Sequence, residues 1–352
     1  MSNYIEFKNK IAFHPGYYIK EIIEESGITQ EDYAKRLGTT PKNLSILIRG
    51  GQSLSIDMAI KLSRLLGTSV QYWMNLQIQY DTLISEFKQQ EELEEERKIL
   101  KNIDYKYFIE NFSLPDLPRK INEQVEALRK FLNVSTLTTL KQKDMLSSFR
   151  TSNNINENNI IKANTMVTIA TNKALQIQAP AYNKNKFIES IEYILTKTNE
   201  YNHFYSLIYD SFIEAGVIFV LMPNMKGSKI NGVTKKVGKN ILLMISDKDK
   251  SLDVLWFTLL HECYHILKND FGITCDEKEK QANIYAQTKL IPEDLYKEFV
   301  KEGCFDVNNI KTFSNKINRN PSIVLGRLQN DNLVRYDDIN LNTLKLKYKT
   351  ST

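Results

Sequence analysis

Residues 29–47 read TQEDYAKRLGTTPKNLSIL, a pattern that predicts two short amphipathic helices separated by a sharp turn. Gly38 stands at the turn, because glycine reaches backbone conformations that a Cβ atom hinders in other residues. Ala34 is small where the two helices would cross. Four larger side chains would form the shared core, namely Tyr33, Leu37, Leu44 and Leu47. This spacing is that of a helix-turn-helix.

Polar residues gather at the start of the second predicted helix. Thr40 is placed to cap this helix and Pro41 to occupy its first turn. An exposed helix N-terminus of this kind reads base edges in the major groove, while nearby basic and amide side chains contact phosphates. The predicted DNA-binding residues are Gln30, Lys35, Thr40, Lys42, Asn43, Ser45 and Arg49. The alternative is a helical bundle with a solvated polar face, which the combined cap, turn and polar tip disfavours.

A second stretch, residues 252–268, reads LDVLWFTLLHECYHILK and has apolar residues at spacings of three and four. This periodicity predicts an amphipathic helix. His261 and His265 lie one turn apart on it, so their imidazoles can converge on one cation. Glu262 would then lie beside the metal and accept a proton from water. Cys263 falls on the apolar stripe, and we expect it to pack in the core.

The pattern His-Glu-x-x-His also occurs by chance in helices whose histidines are only packed and hydrogen-bonded. The amphipathic helix favours metal binding, and so does a downstream predicted helix that supplies a carboxylate at helical spacing. A catalytic zinc site takes three protein ligands. Glu279 is the candidate third ligand, with Asn283 one turn later to hydrogen-bond a ligating imidazole. Asp276 and Glu277 remain competing ligands.

Two further features of the site stay open in the sequence. A donor is needed for the oxyanion that develops when a peptide carbonyl is attacked. The candidates are Tyr264, Tyr285, His203 and Arg327. Residues 240–246 read NILLMIS, which predicts a strand. This strand is either an edge that aligns a substrate by backbone hydrogen bonds or an internal strand of the core.

The composition is that of a globular protein, since 42% of the 352 residues are hydrophobic and 25% are charged. No apolar run reaches the roughly 18 residues of a membrane helix, so we expect no membrane contact. Three cysteines without a Cys-x-x-Cys pair, and a start without the apolar core of a secretion signal, predict a reducing cytoplasm. The net charge of +5 permits nucleic-acid contact but does not require it.

These features predict a multi-domain, mainly α-helical protein with one α+β domain. Residues 1–81 would form an all-α helix-turn-helix bundle, and residues 82–160 a helical linker region with a polar loop at residues 151–159. Residues 161–300 would form the α+β domain that carries the metal site. Residues 301–352 would form a small helical C-terminal segment with a polar tail.

Both halves resemble known families. The stretch from His14-Pro-Gly16 to Ser69-Val-Gln-Tyr-Trp-Met-Asn-Leu-Gln77 resembles HigA-type antitoxins of the XRE class. Three segments resemble the ImmA/IrrE metallopeptidase family, namely His261-Glu-Cys-Tyr-His265, Glu279-Lys-Gln-Ala-Asn283 and Leu290-Ile-Pro292. The segment Asn320–Gln329 resembles the C-terminal helical segment of proteins in which the two families are fused.

The second resemblance implies a zincin-like α+β domain with Zn²⁺ as its cofactor. In that family the glutamate before an Ala-Asn pair is a zinc ligand, which selects Glu279 over Asp276 and Glu277 here. Many members carry another histidine a few residues after the first motif, where this sequence has Leu267-Lys268-Asn269. The ligands are unaffected by that departure, but it leaves the hydrogen bonding around them unassigned.

Together the resemblances imply a transcriptional regulator that binds a double-stranded DNA operator. Its zinc endopeptidase would cleave a helix-turn-helix repressor or antitoxin and so relieve repression. The implied partners are the operator, the protein substrate, a toxin and a second copy in a homodimer. One alternative is a non-proteolytic HigA-like antitoxin or repressor whose peptidase-like domain binds a toxin or senses a ligand. Another is a peptidase whose helix-turn-helix only docks proteins.

Overall fold

A computed structural model of the protein describes residues 4–7, 10–142, 156–271 and 276–348. The chain divides into two compact units, an N-terminal unit of Met1–Glu95 and a C-terminal unit of Glu96–Thr352. The described residues are mainly helical, with two small sheets. None of the helices described combines the length and apolar character that a membrane crossing requires.

The described part of the chain contains the following strands and helices. The strands are β1 (Tyr4–Phe7), β2 (Lys10–Phe13), β3 (Val217–Met222), β4 (Gly232–Val237) and β5 (Asn240–Ser246). The helices are α1 (Pro15–Ser26), α2 (Gln30–Arg36), α3 (Pro41–Ile48), α4 (Ile56–Leu66), α5 (Val70–Ile103), α6 (Lys106–Phe112), α7 (Ile121–Leu132), α8 (Glu157–Leu175), α9 (Lys184–Leu195), α10 (Phe204–Ile213), α11 (Leu252–Lys268), α12 (Asp276–Leu290), α13 (Glu293–Glu302), α14 (Val307–Lys316), α15 (Pro321–Asn330) and α16 (Ile339–Asn342). Short 3-10 turns cover Leu137–Lys141 and Lys248–Lys250.

The core of the N-terminal unit is formed by the apolar faces of α1 to α4 and the start of α5. Its largest fully buried side chains are Ile19, Leu44, Leu47, Leu62 and Trp73. The first helix approaches the end of α3 so closely that a Cβ atom on Gly16 would lie 2.1 Å from the carbonyl oxygen of Leu47. Glycine is therefore required at this crossing.

A hairpin precedes the helices, so the prediction of an all-α N-terminal bundle was wrong. Strands β1 and β2 pair antiparallel, with Tyr4 opposite Phe13 and Phe7 opposite Lys10. The rings of Tyr4 and Phe13 lie 5.7 Å apart across the pair. Each strand has only four residues, and such short alternating segments give a much weaker signal than the helical periodicity that follows.

The C-terminal unit contains a three-stranded sheet in the order β3-β5-β4. The middle strand pairs parallel with β3 and antiparallel with β4. All seven residues of Asn240–Ser246 are buried, so this strand belongs to the core. The alternative in which it aligns a substrate is excluded, because both of its edges are paired; within the described residues, β4 is an edge of the sheet.

Helix α11 crosses this sheet and packs against β4, β5, α12 and α15. Its buried face carries Trp256, Leu259, Leu260 and Cys263, which fixes the opposite stripe of the helix in one orientation. The contact with α15 is close, since a Cβ atom on Gly326 would lie 2.5 Å from Asp253 Oδ2. Helices α11, α12 and α15 thus surround one cleft.

The end of the chain differs from the predicted polar tail. Leu341, Leu344 and Tyr348 are buried, and Ser251 and Lys347 form an antiparallel bridge. The backbone N–H of Leu252 donates to the carbonyl oxygen of Leu346 at 3.0 Å. The first N–H groups of a helix have no partner within the helix, and Leu346 accepts from one of them. The segment around Leu346 therefore stabilises the first turn of α11.

The predicted boundary at residue 81 and the last residues of the predicted polar loop lie within helices. Helix α5 runs through the predicted boundary at residue 81 without interruption. Of the predicted loop at residues 151–159, residues 151–155 lie outside the described part of the chain. Asn156 caps α8 by accepting from the N–H of Asn159 at 2.9 Å, and the residues that follow are helical.

Candidate metal centre and helix-turn-helix

Three side chains from α11 and α12 converge in the C-terminal unit. His261 Nε2 lies 3.1 Å from His265 Nε2. Glu279 approaches from α12, with Oε2 3.2 Å from His261 Nε2 and Oε1 3.5 Å from His265 Nε2. The helical spacing of four residues brings the two imidazoles to one face, and the packing of α12 on α11 brings the carboxylate to them.

The distances between these donor atoms fit a zinc ion. Donors of a tetrahedral zinc site lie about 2.0–2.1 Å from the metal, which places neighbouring donors about 3.3 Å apart. The three separations of 3.1, 3.2 and 3.5 Å bracket that value. Two histidines and one glutamate are also a donor set of catalytic zinc sites, which leave one position open.

The amide of Asn283 sets the orientation and tautomer of His261. Asn283 Oδ1 lies 2.9 Å from His261 Nδ1. Because an amide oxygen only accepts hydrogen bonds, it holds a proton on Nδ1 and leaves the lone pair of Nε2 facing His265 and Glu279. For His265, Nδ1 is buried and has no hydrogen-bond partner among the described residues.

Glu262 is buried beside the triad. Its side chain is 5% exposed, and Oε2 has no hydrogen-bond partner in the part of the chain that the structure describes. Burial raises the pKa of Glu262 to about 7, and the negative charge of Glu279 adds to this effect. The start of β4 presses on this carboxyl, because a Cβ atom on Gly232 would lie 2.7 Å from Glu262 Oε1. A carboxyl with such a pKa can accept and return a proton near neutral pH.

The two imidazoles respond differently to their surroundings. For His265, burial lowers the pKa, and the neighbouring His261 lowers it further. For His261, burial alone would lower the pKa, but the hydrogen bond to Glu279 and the nearby carboxylates outweigh it and raise the pKa. Both effects follow from two imidazoles and two carboxyl groups being held together away from water.

The triad opens into a cleft of about 1160 Å³. Its walls come from the loop before β4, from α11, α12 and α15, and from the last residues of the chain. Asp276 and Glu277, the competing ligands, are exposed and do not line it. Of the four oxyanion candidates, Arg327 lines the cleft, whereas the described positions of His203, Tyr264 and Tyr285 are not on its walls.

In the N-terminal unit, α2 and α3 are joined by the predicted turn, and α3 has the predicted cap. Gly38 has a φ of +62° between them, a conformation that suits glycine. Thr29 Oγ1 caps α2 by accepting from the N–H of Asp32 at 3.2 Å. Thr40 Oγ1 caps α3 by accepting from the N–H of Asn43 at 3.1 Å, with Pro41 at the first position of the helix.

Comparison with known proteins matches this region to a family model described as helix-turn-helix, over residues 19–73. An uncharacterized HTH-type transcriptional regulator of Escherichia coli K12, YddM, is 39% identical over 70 residues, which is 19% of this chain and 74% of that protein. The chain belongs to the helix-turn-helix family. Virulence-associated protein I of Dichelobacter nodosus is 31% identical over 81 residues, 22% of this chain and 75% of that protein. Antitoxin HigA-1 of Vibrio cholerae serotype O1 is 36% identical over 72 residues, 20% of this chain and 68% of that protein.

The predicted XRE-type, DNA-binding helix-turn-helix domain is thus confirmed. Most of its predicted DNA-binding residues are exposed, and these are Gln30, Lys35, Thr40, Lys42 and Arg49. Asn43 and Ser45 are partly buried. The ammonium group of Lys35 lies 3.3 Å from Glu31 Oε1, an exposed ion pair that a phosphate can replace at little cost.

Asn43 is held by a residue that the sequence pattern missed. Its Nδ2 donates to Thr39 Oγ1 at 3.0 Å, and its Oδ1 accepts from Gln52 Nε2 at 2.8 Å. Gln52 follows the turn after α3, outside the two helices of the helix-turn-helix, so their periodicity gives no signal for it. The bond fixes the rotamer of Asn43 before any base is contacted.

Proposed function

We propose that this helix-turn-helix protein is a transcriptional regulator whose C-terminal unit is a zinc-dependent endopeptidase. Its substrate class would be a helix-turn-helix repressor or antitoxin, whose cleavage relieves repression at the operator. The observation that carries this proposal is the meeting of His261, His265 and Glu279 at 3.1 to 3.5 Å beside the buried Glu262. A structural zinc site would take four protein ligands, whereas three donors and an adjacent carboxyl suit catalysis.

The triad of His261, His265 and Glu279 would hold the zinc ion. When bound, the ion supplies Lewis-acid polarisation of a carbonyl and acidifies a water molecule. Asn283 keeps His261 in the tautomer that ligation requires. Glu262 accepts the proton of the attacking water on a carboxylate oxygen and then returns it to the nitrogen of the departing amine. Glu262 alone can therefore carry this proton from the attacking water to the departing amine.

The edge of the sheet at β4 offers a place where an extended substrate could bind. Residues Lys229–Gly232 line the cleft and lead directly into β4, which is paired only to β5 among the described residues. An extended peptide can add to such an edge through backbone hydrogen bonds. The scissile carbonyl would then lie near Gly232, where the missing Cβ makes room for the Glu262 carboxyl itself.

A Glu262→Gln variant tests the endopeptidase proposal. The amide keeps the shape of the side chain but cannot accept the proton, so zinc should be retained while cleavage falls by a factor of about 100 or more. The assay is co-expression with a helix-turn-helix regulator encoded next to this chain, followed by detection of fragments and zinc analysis of the purified protein. Equal cleavage by both forms would refute the catalytic role of Glu262.

A second candidate function is supported by the similarity to Antitoxin HigA-1. In it, the protein represses its operator and neutralises a toxin, and the peptidase-like unit binds a ligand without turnover. Growth rescue during co-expression with a toxin encoded beside this chain separates the two functions. Rescue that persists in Glu262→Gln, together with no fragment of any regulator, would favour the antitoxin function.

A further inference from the structure

Arg327 is a fixed cation on the wall of the metal cleft. It lies on α15 and lines the cleft together with the metal-ligand triad. Its side chain is only 17% exposed, which is low for an arginine. The Nε–H donates to Asp331 Oδ2 at 2.7 Å. The guanidinium group is therefore anchored at one end and partly withdrawn from water.

A tyrosine holds both members of this pair. The hydroxyl of Tyr296 donates to Asp331 Oδ2 at 2.8 Å, and the guanidinium carbon of Arg327 lies 4.9 Å from the centre of the Tyr296 ring. Asp331 binds only the Nε–H of the guanidinium. The Tyr296 hydroxyl is also close enough to the guanidinium group to accept from it, but within the described ranges of the chain neither terminal NH₂ group is hydrogen-bonded to a carboxylate. Those groups form the planar fork with which arginine binds carboxylates in a bidentate way.

The remaining charges of the cleft favour an anion. Outside the metal site with its Glu262 and Glu279, three lysines line the cleft besides Arg327, namely Lys229, Lys345 and Lys347, against two aspartates, Asp249 and Asp253. None of the three lysines forms an ion pair among the described residues, and the ammonium group of Lys345 lies 5.5 Å from the centre of the Tyr336 ring. Asp253 Oδ1 accepts a hydrogen bond from Ser251. Unpaired ammonium groups around a half-enclosed cleft attract acidic segments and repel basic ones.

We propose that Arg327 is a specificity-determining residue that binds a carboxylate of the peptide substrate. The cleft would then select segments that carry an aspartate, a glutamate or a free C-terminus near the scissile bond. This inference rests on the proposed endopeptidase function, because it concerns the substrate of the same cleft. Asp331 and Tyr296 act as positioning residues for the guanidinium group.

Binding of labelled peptides tests the proposal without cleavage. The probe is a fluorescein-labelled decapeptide pool with a fixed central Glu-Glu and randomised flanks, compared with a Gln-Gln pool, both amidated at the C-terminus. A third pool carries Gln-Gln and a free C-terminal carboxylate. Anisotropy is measured with the full-length, zinc-loaded Glu262→Gln protein. We expect one of the carboxylate pools to bind about tenfold more tightly than the amidated Gln-Gln pool, which identifies the source of the carboxylate.

Variants of Arg327 should remove this preference. In Arg327→Met the preference should fall to about onefold, and in Arg327→Lys, which keeps the charge without the fork, it should be only partly restored. The matched control is Arg335→Met, because Arg335 also pairs with an aspartate, Asp337, in the same terminal segment but is 83% exposed. Zinc content and circular dichroism check that each variant is folded. If Arg327→Met does not fold, the lysine variant decides.

The outcomes separate this proposal from the one on which it rests. An unchanged preference in both Arg327 variants, or equal binding of all three pools by the parent protein, would overturn the role of Arg327. A preference that depends on Arg327, in a protein that cleaves no regulator, would refute the endopeptidase function and retain the carboxylate site. Cleavage of a regulator, without any preference among the peptide pools, would support the endopeptidase function and refute the carboxylate site.

Discussion

Helices α3 and α11 both present functional side chains, but in opposite environments. Lys42 on α3 and Arg49 at its C-terminal cap are exposed, and the phosphates of bound DNA would supply their opposite charges. On α11, Glu262 is 5% and His265 1% exposed, so the protein has removed these groups from water before any ligand arrives. Desolvated polar groups of this kind need a compensating partner. Substitutions on α3 should therefore change binding alone, whereas substitutions around α11 should change the metal affinity of the folded protein.

The largest expected effect is the loss of zinc in His265→Ala. Two donors remain in that variant, too few to retain the ion during dialysis. Zinc should fall from about one ion per chain to almost none, as measured by atomic emission on purified protein, while duplex binding by the helix-turn-helix persists. His203→Ala is the matched control, since His203 is exposed and does not line the cleft. Equal zinc content in both variants would mean that the triad is not the metal site.

A substitution in the N-terminal unit should lower the stability of that unit and leave the zinc content unchanged. In Gly16→Ala the new Cβ would meet the backbone oxygen of Leu47 at 2.1 Å, and backbone yields less readily than a side chain. The free energy of unfolding of this unit should drop by about 1–3 kcal/mol, measured by urea denaturation, with zinc content unchanged. Gly51→Ala is a milder control, because its Cβ would meet a side-chain atom of Ile46 at 3.1 Å. Equal losses in the two variants would argue against a close α1–α3 crossing.

The same contrast explains what could be predicted from the sequence. Helix α11 was predicted with the bounds that the structure shows, Leu252–Lys268, because its signal is local periodicity. The helix-turn-helix was predicted for the same reason, from the glycine at the turn, the Thr40 cap and an apolar spacing. The approach of Glu279 to the histidines needs the packing of a second helix, and spacing alone left Asp276 and Glu277 open.

Other features depend on contacts between residues far apart in the chain. The middle position of β5 follows from its pairing with both β3 and β4, whereas its sequence only indicates a buried strand. Arg327 reaches the cleft because Gly326 lets α15 approach Asp253, and the sequence offered it only as one oxyanion candidate among four. The docking of the last described residues beside α11 was missed, because Leu341, Leu344 and Tyr348 are separated by polar residues in a segment that was read as a polar tail.

A moderate effect on duplex binding is expected when the side-chain amide of Asn43, which Thr39 and Gln52 hold in place, is removed. Asn43→Ala should weaken binding to the chain's own upstream duplex by about tenfold and relax specificity at one base pair. Gln52→Ala should weaken it by a smaller factor, because Asn43 stays but its Oδ1 loses the hydrogen bond at 2.8 Å. Titrations at a fixed salt concentration measure both effects.

Gln71→Ala is the control for the loss of an amide, since Gln71 is exposed and donates to Asn75 on α5. It should bind the duplex as the parent protein does. If Gln52→Ala behaves like Gln71→Ala, then Gln52 does not orient Asn43. If Asn43→Ala keeps both affinity and specificity, the recognition residues lie elsewhere on α3.

The smallest effect concerns a carboxylate that is buried, like Glu262, but is fully paired. The side chain of Glu96 is 0% exposed, and its Oε1 accepts from Arg129 Nε at 2.8 Å and from the N–H of Leu137 at 2.7 Å. Burial alone would raise the pKa of Glu96, but these hydrogen bonds outweigh it and hold the pKa below its ordinary value of 4.5. The pKa values of Glu262 and Glu96 are thus shifted in opposite directions. The reason is that Glu96 accepts hydrogen bonds, whereas Glu262 Oε2 has no donor among the described residues.

The sign of the pH dependence follows from this direction. A depressed folded-state pKa gives stability that is complete above the unfolded pKa of 4.5 and is lost as the pH falls through the folded value. Thermal unfolding from pH 6 down to pH 3 should therefore show an acid-sensitive component that is absent in Glu96→Gln. Glu123→Gln is the control, because Glu123 is exposed and forms an ion pair with Lys120 at 3.1 Å. If Glu96→Gln keeps the full acid sensitivity of the parent, protonation of Glu96 does not change the stability of the C-terminal unit. The Glu96–Arg129 pair would then make no net contribution to that stability, because its hydrogen bonds would only offset the cost of burying the carboxylate.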